Sequence, residues 1–445
     1  MASIFPFRAL RYDPNKVSVA DVVTQPYDKI TPAMQDRYYS ASPHNLVRVI
    51  LGRKELGDDE DQQNVYTRAA AHLEDWRANR VLVSDSEPSL YVYTQTFQMP
   101  GDCSGTEHVR RGFIAAGQLE DYDRKIVFRH EQTLSKPKAD RLNLLRTTQS
   151  HFGQIFMLYS DPSDQVAALL RQSRPPDTEV CDEYKVTHRL WKVDDSATIA
   201  SVQAAMQDKN LIIADGHHRY ETALNYRNEM RQQLGHDPDA AHERVMMTFV
   251  NMDAPGLAVL PTHRVVFGLE QFDITTAIGK LQKYFEVENL GPVIDMTAAI
   301  DQLRESGKNR TALLAVAPQG GFLLRARPEQ DSANLADQSQ RQRKLDVVQL
   351  HKLVLEETLG MSEEDIRNQN HLKYVREAAD ALDEVRQGAD VAFLMNPVRM
   401  DQVRDIAFGG EVLPQKSTDF FPKLLSGLTI YSLEEAAQPA ARGDR

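Results

Sequence analysis

Residues 213–221 read Ile-Ala-Asp-Gly-His-His-Arg-Tyr-Glu, so an acid (Asp215), a glycine (Gly216), two imidazoles (His217, His218) and a guanidinium (Arg219) occupy consecutive positions. Glycine lets a backbone approach a ligand closely, and imidazole and guanidinium groups donate hydrogen bonds to negative oxygens. If a helix starts here, its unpaired N–H groups add positive potential. Such a turn suits an anion, phosphate above all, and Asp215 is an acid that could hold Mg²⁺ or orient a histidine, as phosphoryl transfer requires. The plain alternative is an Asp-Gly turn carrying solvated histidines.

Two further polar segments offer related chemistry. Arg129-His130-Glu131 is followed within ten residues by Lys136, Lys138 and Arg141, at what reads as a helix start. That clustering makes a second anion cradle, with Glu131 placed to act as a general base for a hydroxyl, or simply a solvated basic face. The third segment runs from Pro414 to Lys423 and contains Lys416, Ser417 and Thr418. Counted from Gly410 it approaches a phosphate-binding P-loop, but Gln415 stands where the second glycine belongs and Pro422 interrupts the helix that should follow. A P-loop is therefore excluded, although Lys416, Ser417 and Thr418 remain candidate phosphate ligands on what otherwise reads as a surface loop. Zinc is the competing idea for His130, Glu131, His217, His218 and His263, yet adjacent histidines lack the i, i+4 spacing that aligns two imidazoles on one helix face. Neither the paired acids of glycoside hydrolysis nor a serine nucleophile elbow is visible.

The elements that must hold these groups follow from periodicity. Residues 211–214 are apolar and strand-like, and after Asp215-Gly216 a helix is predicted from Ala223, Tyr226, Met230 and Leu234 at helical spacing, stopped by Gly235 and Pro238. The turn thus lies at the carboxyl end of a strand and the amino end of a helix, a common ligand position in α/β folds. Residues 90–97 and 109–117 suit an antiparallel hairpin around Pro100-Gly101, and residues 64–79 and 201–207 read as helical. Beyond residue 270 the pattern restarts: a helix over 274–284, a hairpin from 311–318 and 321–325, an amphipathic helix over 345–359, and a buried strand over 391–395 closed by Asn396-Pro397. Residues 330–342 read as a polar loop. The expectation is a mixed α/β (α+β) molecule with an N-terminal domain over 1–268, a C-terminal α/β domain over 269–433 and a tail over 434–445.

With 445 residues, 41% of them hydrophobic, the chain can build two or three real cores. A net charge of −12 argues against general attraction to nucleic acid, so no DNA partner is expected. No stretch approaches the length of a spanning helix and the start lacks a secretory pattern, so a cytoplasmic protein without a membrane partner is expected. Cys103 and Cys181 lie too far apart in sequence to suggest a thiolate metal cage.

Taken in order, Gln25-Pro26-Tyr27-Asp28-Lys29-Ile30, His130-Glu131-x-Thr133, Asp140-Arg141-Leu142, residues 215–220, Leu260-Pro261-Thr262-His263-Arg264 and residues 414–423 resemble a bacterial and archaeal family filed as domain of unknown function 1015, often labelled SpoOJ/ParA/ParB/repB. The Asp-Gly-His-His-Arg string is similar to the phosphate-binding turn of the ParB/sulfiredoxin superfamily, whose members handle CTP or ATP and include kinases of free serine. That resemblance implies a ParB/sulfiredoxin-like core with large insertions. It also implies a catalytic or metal-associated role for Asp215, phosphate contacts from Gly216, His217, His218 and Arg219, and an activating base in Asp28 or Glu131. Lys136, Arg141, Lys416, Ser417 and Thr418 would hold the remaining phosphates. The chain departs from the small kinases in its length and from ParB in having no evident helix-turn-helix module.

The resulting expectation is a nucleotide-dependent phosphotransferase using Mg²⁺ and ATP, ADP or CTP to phosphorylate a small hydroxylated metabolite such as serine, with a homodimer as one arrangement open to it. The alternatives are a nucleotide-binding regulatory switch with little turnover and a phosphatase or other hydrolase using the same turn.

Overall fold

The computed structural model describes residues 2–59, 62–102, 104–131, 136–328 and 332–437, with the side chains of 136–138 and 437 outside that description. Cys103 and Thr133 therefore lie outside the described residues, as does the side chain of Lys136. Two compact units divide the chain: Met1–Arg129, Thr133–Leu257 and Pro422–Arg445 form the first, His130–Gln132 and Ala258–Phe421 the second. The architecture is mixed α/β, with one large sheet in each unit.

In chain order, the elements of the first unit that matter here are β1 (Ile4–Phe5), α1 (Val65–Ala78), β2 (Leu90–Gln98), β3 (Glu107–Gln118), β4 (Val127–Phe128), α2 (Lys136–Thr148), β5 (Ile155–Tyr159), β6 (Thr178–Cys181), β7 (Thr187–Val193), α3 (Ser196–Met206), β8 (Leu211–Asp215), α4 (His217–Leu234) and β9 (Arg244–Asn251). The sheet order is β4-β8-β5-β9-β3-β2-β7-β6, with β1 added antiparallel to β3. Strand β2 is rich in aromatic and β-branched residues and pairs antiparallel with β3. The turn between them opens with the Asp102 N–H donating to the Met99 carbonyl at 3.0 Å. Helix α1 starts where Asn64 accepts from the N–H groups of Tyr66 and Thr67, and Thr67 returns a bond to the Asn64 N–H, a reciprocal capping box.

One sheet face carries the main core: Val92, Phe113, Met157, Ile213 and Phe249 pack with Val202 and Met206 of α3 and with Tyr220 and Ala223 of α4. Side chains alternate along a strand, so residues such as Gln95 of β2 and Arg110 of β3 belong to the other face.

In β8 the alternation is broken. Ile213 pairs with Met157, but Asp215 pairs with Phe156, so Ala214 is an extra residue, a β-bulge. Leu211 and Ile213 point into the core, and unbroken alternation would send Asp215 there as well. The bulge instead turns it to the opposite face, the kind of re-aiming bulges provide beside functional sites. Gly216 follows at φ +95°, a left-handed conformation that side chains resist, and starts α4, which ends at Gly235 with φ +86°.

The second unit contains a six-stranded sheet whose order is Phe285–Gly291, Gly320–Ala326, Ala312–Ala317, Val391–Met395, His263–Val266, Leu372–Val375. The strands Ala312–Ala317 and Gly320–Ala326 form the expected hairpin, and Val391–Met395 is buried throughout. Helices Met296–Gly307 and Ala378–Arg386 cover one face through Leu303, Ala381 and Val385. The helix expected over 345–359 is wound differently: Asp346–Gln349 is α-helical, but Leu350–Thr358 is a π-helix, and the Thr358 hydroxyl donates to the carbonyl five residues back, Leu353, at 2.7 Å. Apolar spacing marks a buried helical stretch without distinguishing these two windings. The polar stretch before it contains the short 3₁₀ turns Ala333–Leu335 and Gln342–Lys344, and Leu335 is buried.

Candidate active site

Asp215 sits at the end of β8 with its side chain about a quarter exposed (26%). One carboxylate oxygen accepts from Arg219 Nη2 at 2.9 Å, and the other lies 3.5 Å from Lys423 Nζ. Burial alone would raise the Asp215 pKa. The charges of Lys423, Arg219, Lys29 and His217 together outweigh that effect and hold the carboxyl well below the usual carboxylate range. An acid so held remains ionised at any physiological pH and is a poor proton acceptor, which suits it to anchoring cations.

Arg219 is fixed from both ends. Its other terminal nitrogen donates to the Gln154 carbonyl, and its guanidinium lies against two glycines. A Cβ on Gly216 would stand 3.1 Å from that guanidinium, and one on Gly153 would stand 3.2 Å from Nη1. His217 is buried and His218 half-buried on the first turn of α4.

Beneath Asp215 the sheet face is polar and fully engaged. Lys423 is only 8% exposed at its side chain, and its carbonyl accepts from Gln95 Nε2 at 2.8 Å. Gln95 Oε1 accepts from Arg110 Nε at 3.0 Å, and the same guanidinium donates to the Pro422 carbonyl and lies 4.6 Å from the Phe156 ring centroid. Burial lowers the Arg110 pKa to about 10, against the opposing influence of Tyr93 and Asp215, so it stays charged at neutral pH. Tyr93 bonds His188 Nδ1 at 2.6 Å, and His188 Nε2 meets Asp182 at 3.1 Å, which also accepts from Gln25 Nε2 at 3.0 Å.

Beside Arg219 opens a cavity of about 60 Å³ lined by Tyr27, Arg141, His151, Gly153 and Arg219, among others. Arg141 lies 4.2 Å over the Tyr27 ring, pairs with Asp140 at 2.5 Å and donates to the Ile50 carbonyl at 2.7 Å. Three sequence segments, Gln25 to Ile30, Asp140-Arg141 and Asp215 to Tyr220, are therefore neighbours in the first unit. Asp28 is exposed on the short 3₁₀ turn Tyr27–Lys29.

Lys136 starts α2 in the first unit, and Glu131, Lys416, Ser417 and Thr418 belong to the second. Glu131 accepts from the backbone N–H of Lys416, whose carbonyl accepts from Arg264 Nη2 at 3.1 Å. Ser417 is buried and donates to the Pro414 carbonyl at 2.5 Å, while Thr418 Oγ1 bonds His130 Nε2 at 2.8 Å. Lys416 itself is exposed, with φ +58°. His263 is buried in its strand, where its Nδ1 accepts from the Met395 N–H at 3.3 Å. Among the described residues no three His, Cys, Asp or Glu side chains converge as a metal cage, and no helix is long and apolar enough to cross a membrane. Cys181 is exposed with a free thiol.

Lys29, Lys423, Gln95 and Arg110 stand closer to the chemistry of Asp215 than composition suggests. Lys29 and Lys423 lie inside polar motifs visible in the sequence. A charged residue at a buried position of a strand is the one signal Arg110 offers.

Residues 4–348 match the family described as "Protein of unknown function (DUF1015)", so the chain belongs to that family. No curated protein matches it. Among solved structures, SbnI with a C-terminal truncation from Staphylococcus aureus aligns at 11% identity and a TM-score of 0.37, covering 73% of this chain and 89% of that one. A conserved hypothetical protein from Pyrococcus furiosus aligns at 16% and 0.34, covering 70% and 94%. A free serine kinase in complex with AMP aligns at 14% and 0.33, covering 68% and 89%.

Proposed function

We propose that the Asp215 turn is the phosphate-handling centre of a nucleotide-dependent phosphotransferase acting on a small hydroxylated metabolite, with free serine as the leading acceptor. One observation carries this reading. At a helix amino terminus, in a chain of net charge −12, the carboxylate of Asp215 is outnumbered by Lys423, Arg219 and Lys29, with Arg141 on the adjoining cavity. Local positive excess of this kind neutralises a transferring phosphoryl group, and phosphoryl transfer needs positioning and charge stabilisation more than covalent help from the protein. The similarity of the Asp-Gly-His-His-Arg string to the turn of the serine kinases supports the same chemistry.

In this reading His217, His218 and Arg219, with the first-turn backbone after Gly216, hold the phosphoryl group. Arg141 and Lys29 hold the nucleotide's other phosphates, ATP, ADP or CTP serving as donor. Asp28, exposed on its turn beside Lys29, takes the acceptor's proton as its hydroxyl oxygen bonds phosphorus and the bond to the leaving phosphate breaks. Mg²⁺ in such reactions neutralises phosphate charge and is held by one or two carboxylates besides the phosphates themselves, and Asp215 would supply such a carboxylate at this turn.

The test is phosphorus NMR of the protein with Mg²⁺ and ATP, ADP or CTP, with and without a pool of hydroxy amino acids and polyols. A phosphomonoester that forms only with an acceptor and vanishes in Asp215→Ala is expected. Orthophosphate release without acceptor would make the site a hydrolase, and nucleotide that binds but stays intact would make it a regulatory switch.

A further inference from the structure

The second unit contains a cleft of about 740 Å³ that none of the preceding chemistry uses. Its walls come from the end of helix Met296–Gly307, the hairpin Ala312–Ala317 and Gly320–Ala326, and the short turn Gln342–Lys344. Among the described residues, Lys308, Arg310, Arg327, Arg343, Lys344 and Arg399 line it, against a single acid, Asp346. Such a density of cations in an acidic chain is opposite to the background.

Three of these cations are already balanced. Lys308 pairs with Glu305 at 2.5 Å, Arg310 with Glu286 at 2.7 Å, and Arg399 with Asp401 at 3.2 Å. Arg327, Arg343 and Lys344 have no carboxylate within ion-pair distance among the described residues. Glu286, held low first by Arg310 and then by Arg327, is shared among these charges. Arg343 is nevertheless fixed in place: Nε donates to the Gln338 carbonyl and Nη2 to the Ala336 carbonyl, each at 2.9 Å. Arg327 is anchored through Nε to the Gln282 carbonyl at 3.0 Å. Holding an arginine by backbone carbonyls keeps its charge unneutralised and its geometry set, which lowers the ordering cost of binding an anion. Asp346 opposes these charges only in part, because burial pushes its carboxyl up to about 7, and in its protonated form it can donate to an oxyanion.

We propose that this cleft binds a small, multiply phosphorylated ligand, with Arg327, Arg343 and Lys344 as its principal phosphate contacts. Three cations without an ion-pair partner among the described residues match a di- or triphosphate. The concave shape and the chain's overall negative charge favour a compact ligand over a long polyanion such as nucleic acid, which would bring further backbone charge against an acidic surface. The proposal stands apart from the Asp215 turn, since every residue it uses lies in the second unit.

Calorimetric titration of the full chain with inorganic tripolyphosphate tests it. One equivalent is expected to bind at this cleft, besides any taken up by the Asp215 turn, with an affinity that falls as salt rises. The Arg343→Gln, Lys344→Gln double variant should bind about tenfold more weakly or worse, as expected for loss of charge-assisted contacts. Lys344→Glu, at an exposed side chain whose reversal leaves the fold intact, should do the same, with circular dichroism melts confirming folding. Arg219→Gln, which disables the first-unit turn, should retain this binding, so failure of one reading is distinguishable from failure of the other. Absence of binding by the wild-type chain, equal binding by the variants, or tighter binding of a single-stranded oligonucleotide that tripolyphosphate displaces would each overturn the proposal.

Discussion

Lys423 Nζ lies 3.5 Å from Asp215 Oδ1 although the two residues are far apart in the chain, and the lysine side chain is only 8% exposed. The carboxylate is about a quarter exposed and is also bonded by Arg219. The pair is thus asymmetric in solvation: removing the acid takes a counter-charge from a lysine closed off from water, whereas removing the lysine leaves a partly exposed acid still bonded to Arg219.

That asymmetry predicts an order of stability. Asp215→Asn should cost about 1–3 kcal/mol at neutral pH, less than a fully buried broken pair because the site is partly solvated. Lys423→Met should cost less, and the double variant should recover part of the loss, a coupling measurable as a double-mutant cycle in urea. The sign with pH follows from the lowered Asp215 pKa: its stabilisation is complete above the unfolded carboxyl value of about 3.9 and is lost only as pH falls toward the folded value. The gap between wild type and Asp215→Asn should therefore be as large at pH 5 as at pH 7. A gap that closes by pH 5 would show that the carboxylate is not held low.

Gly216→Ala should be costly for two reasons that add. Its φ of +95° disfavours a side chain, and the new Cβ would meet the Arg219 guanidinium at 3.1 Å. A loss of about 1–2 kcal/mol is expected, together with weaker phosphate binding because Arg219 must move. Gly235→Ala supplies the control: φ there is +86°, yet nothing lies within 4 Å of the added methyl, so it should cost stability without altering ligand affinity.

Much of this arrangement is legible locally. The apolar run before Asp215, the glycine at the turn and the helical spacing of Ala223, Tyr226 and Met230 specify strand, turn and helix, and Gly235 ends the helix as its residue type suggests. What escapes a linear reading is which face each polar group takes. The bulge at Ala214 that aims Asp215 away from the core has no signature in Leu-Ile-Ile-Ala, because the extra residue is defined by pairing with β5. Arg110 and Gln95 sit in strands that read correctly as strands, but their pairing depends on register across β2 and β3. The Lys423 partnership depends on the return of the chain to the first unit at Pro422, a contact no local pattern encodes.

Gln95 joins two cationic residues, accepting from Arg110 through its side-chain oxygen and donating to the Lys423 carbonyl through its nitrogen. Gln95→Leu keeps the size but leaves the buried Arg110 guanidinium short of an acceptor, at an expected cost of about 2–4 kcal/mol. Because the Lys423 backbone loses its anchor too, nucleotide affinity measured by calorimetry should fall in this variant even though Gln95 need not touch ligand. Unchanged affinity in a destabilised Gln95→Leu protein would limit its role to folding.

His263 gives the second unit a pH dependence of opposite origin from that of Asp215. Burial first, and the neighbouring Arg264 charge second, lower its pKa from 6.5 to about 4, and its Nδ1 accepts from the Met395 N–H, so the folded imidazole is neutral with its proton on Nε2. The unfolded chain takes up a proton below its value of about 6.5 while the folded chain does not until near 4, so this group destabilises the fold as pH falls across that window. At pH 5 the effect should reach about 2 kcal/mol relative to pH 7, by the linkage of about 1.4 kcal/mol per unit. Hydrogen exchange of the Met395 amide, which reports opening of this strand pair, should show an excess between pH 7 and 5, its rate falling less than the base-catalysed chemistry alone dictates. In His263→Gln the excess should disappear, while an equal excess in the variant would assign the acid sensitivity to other groups.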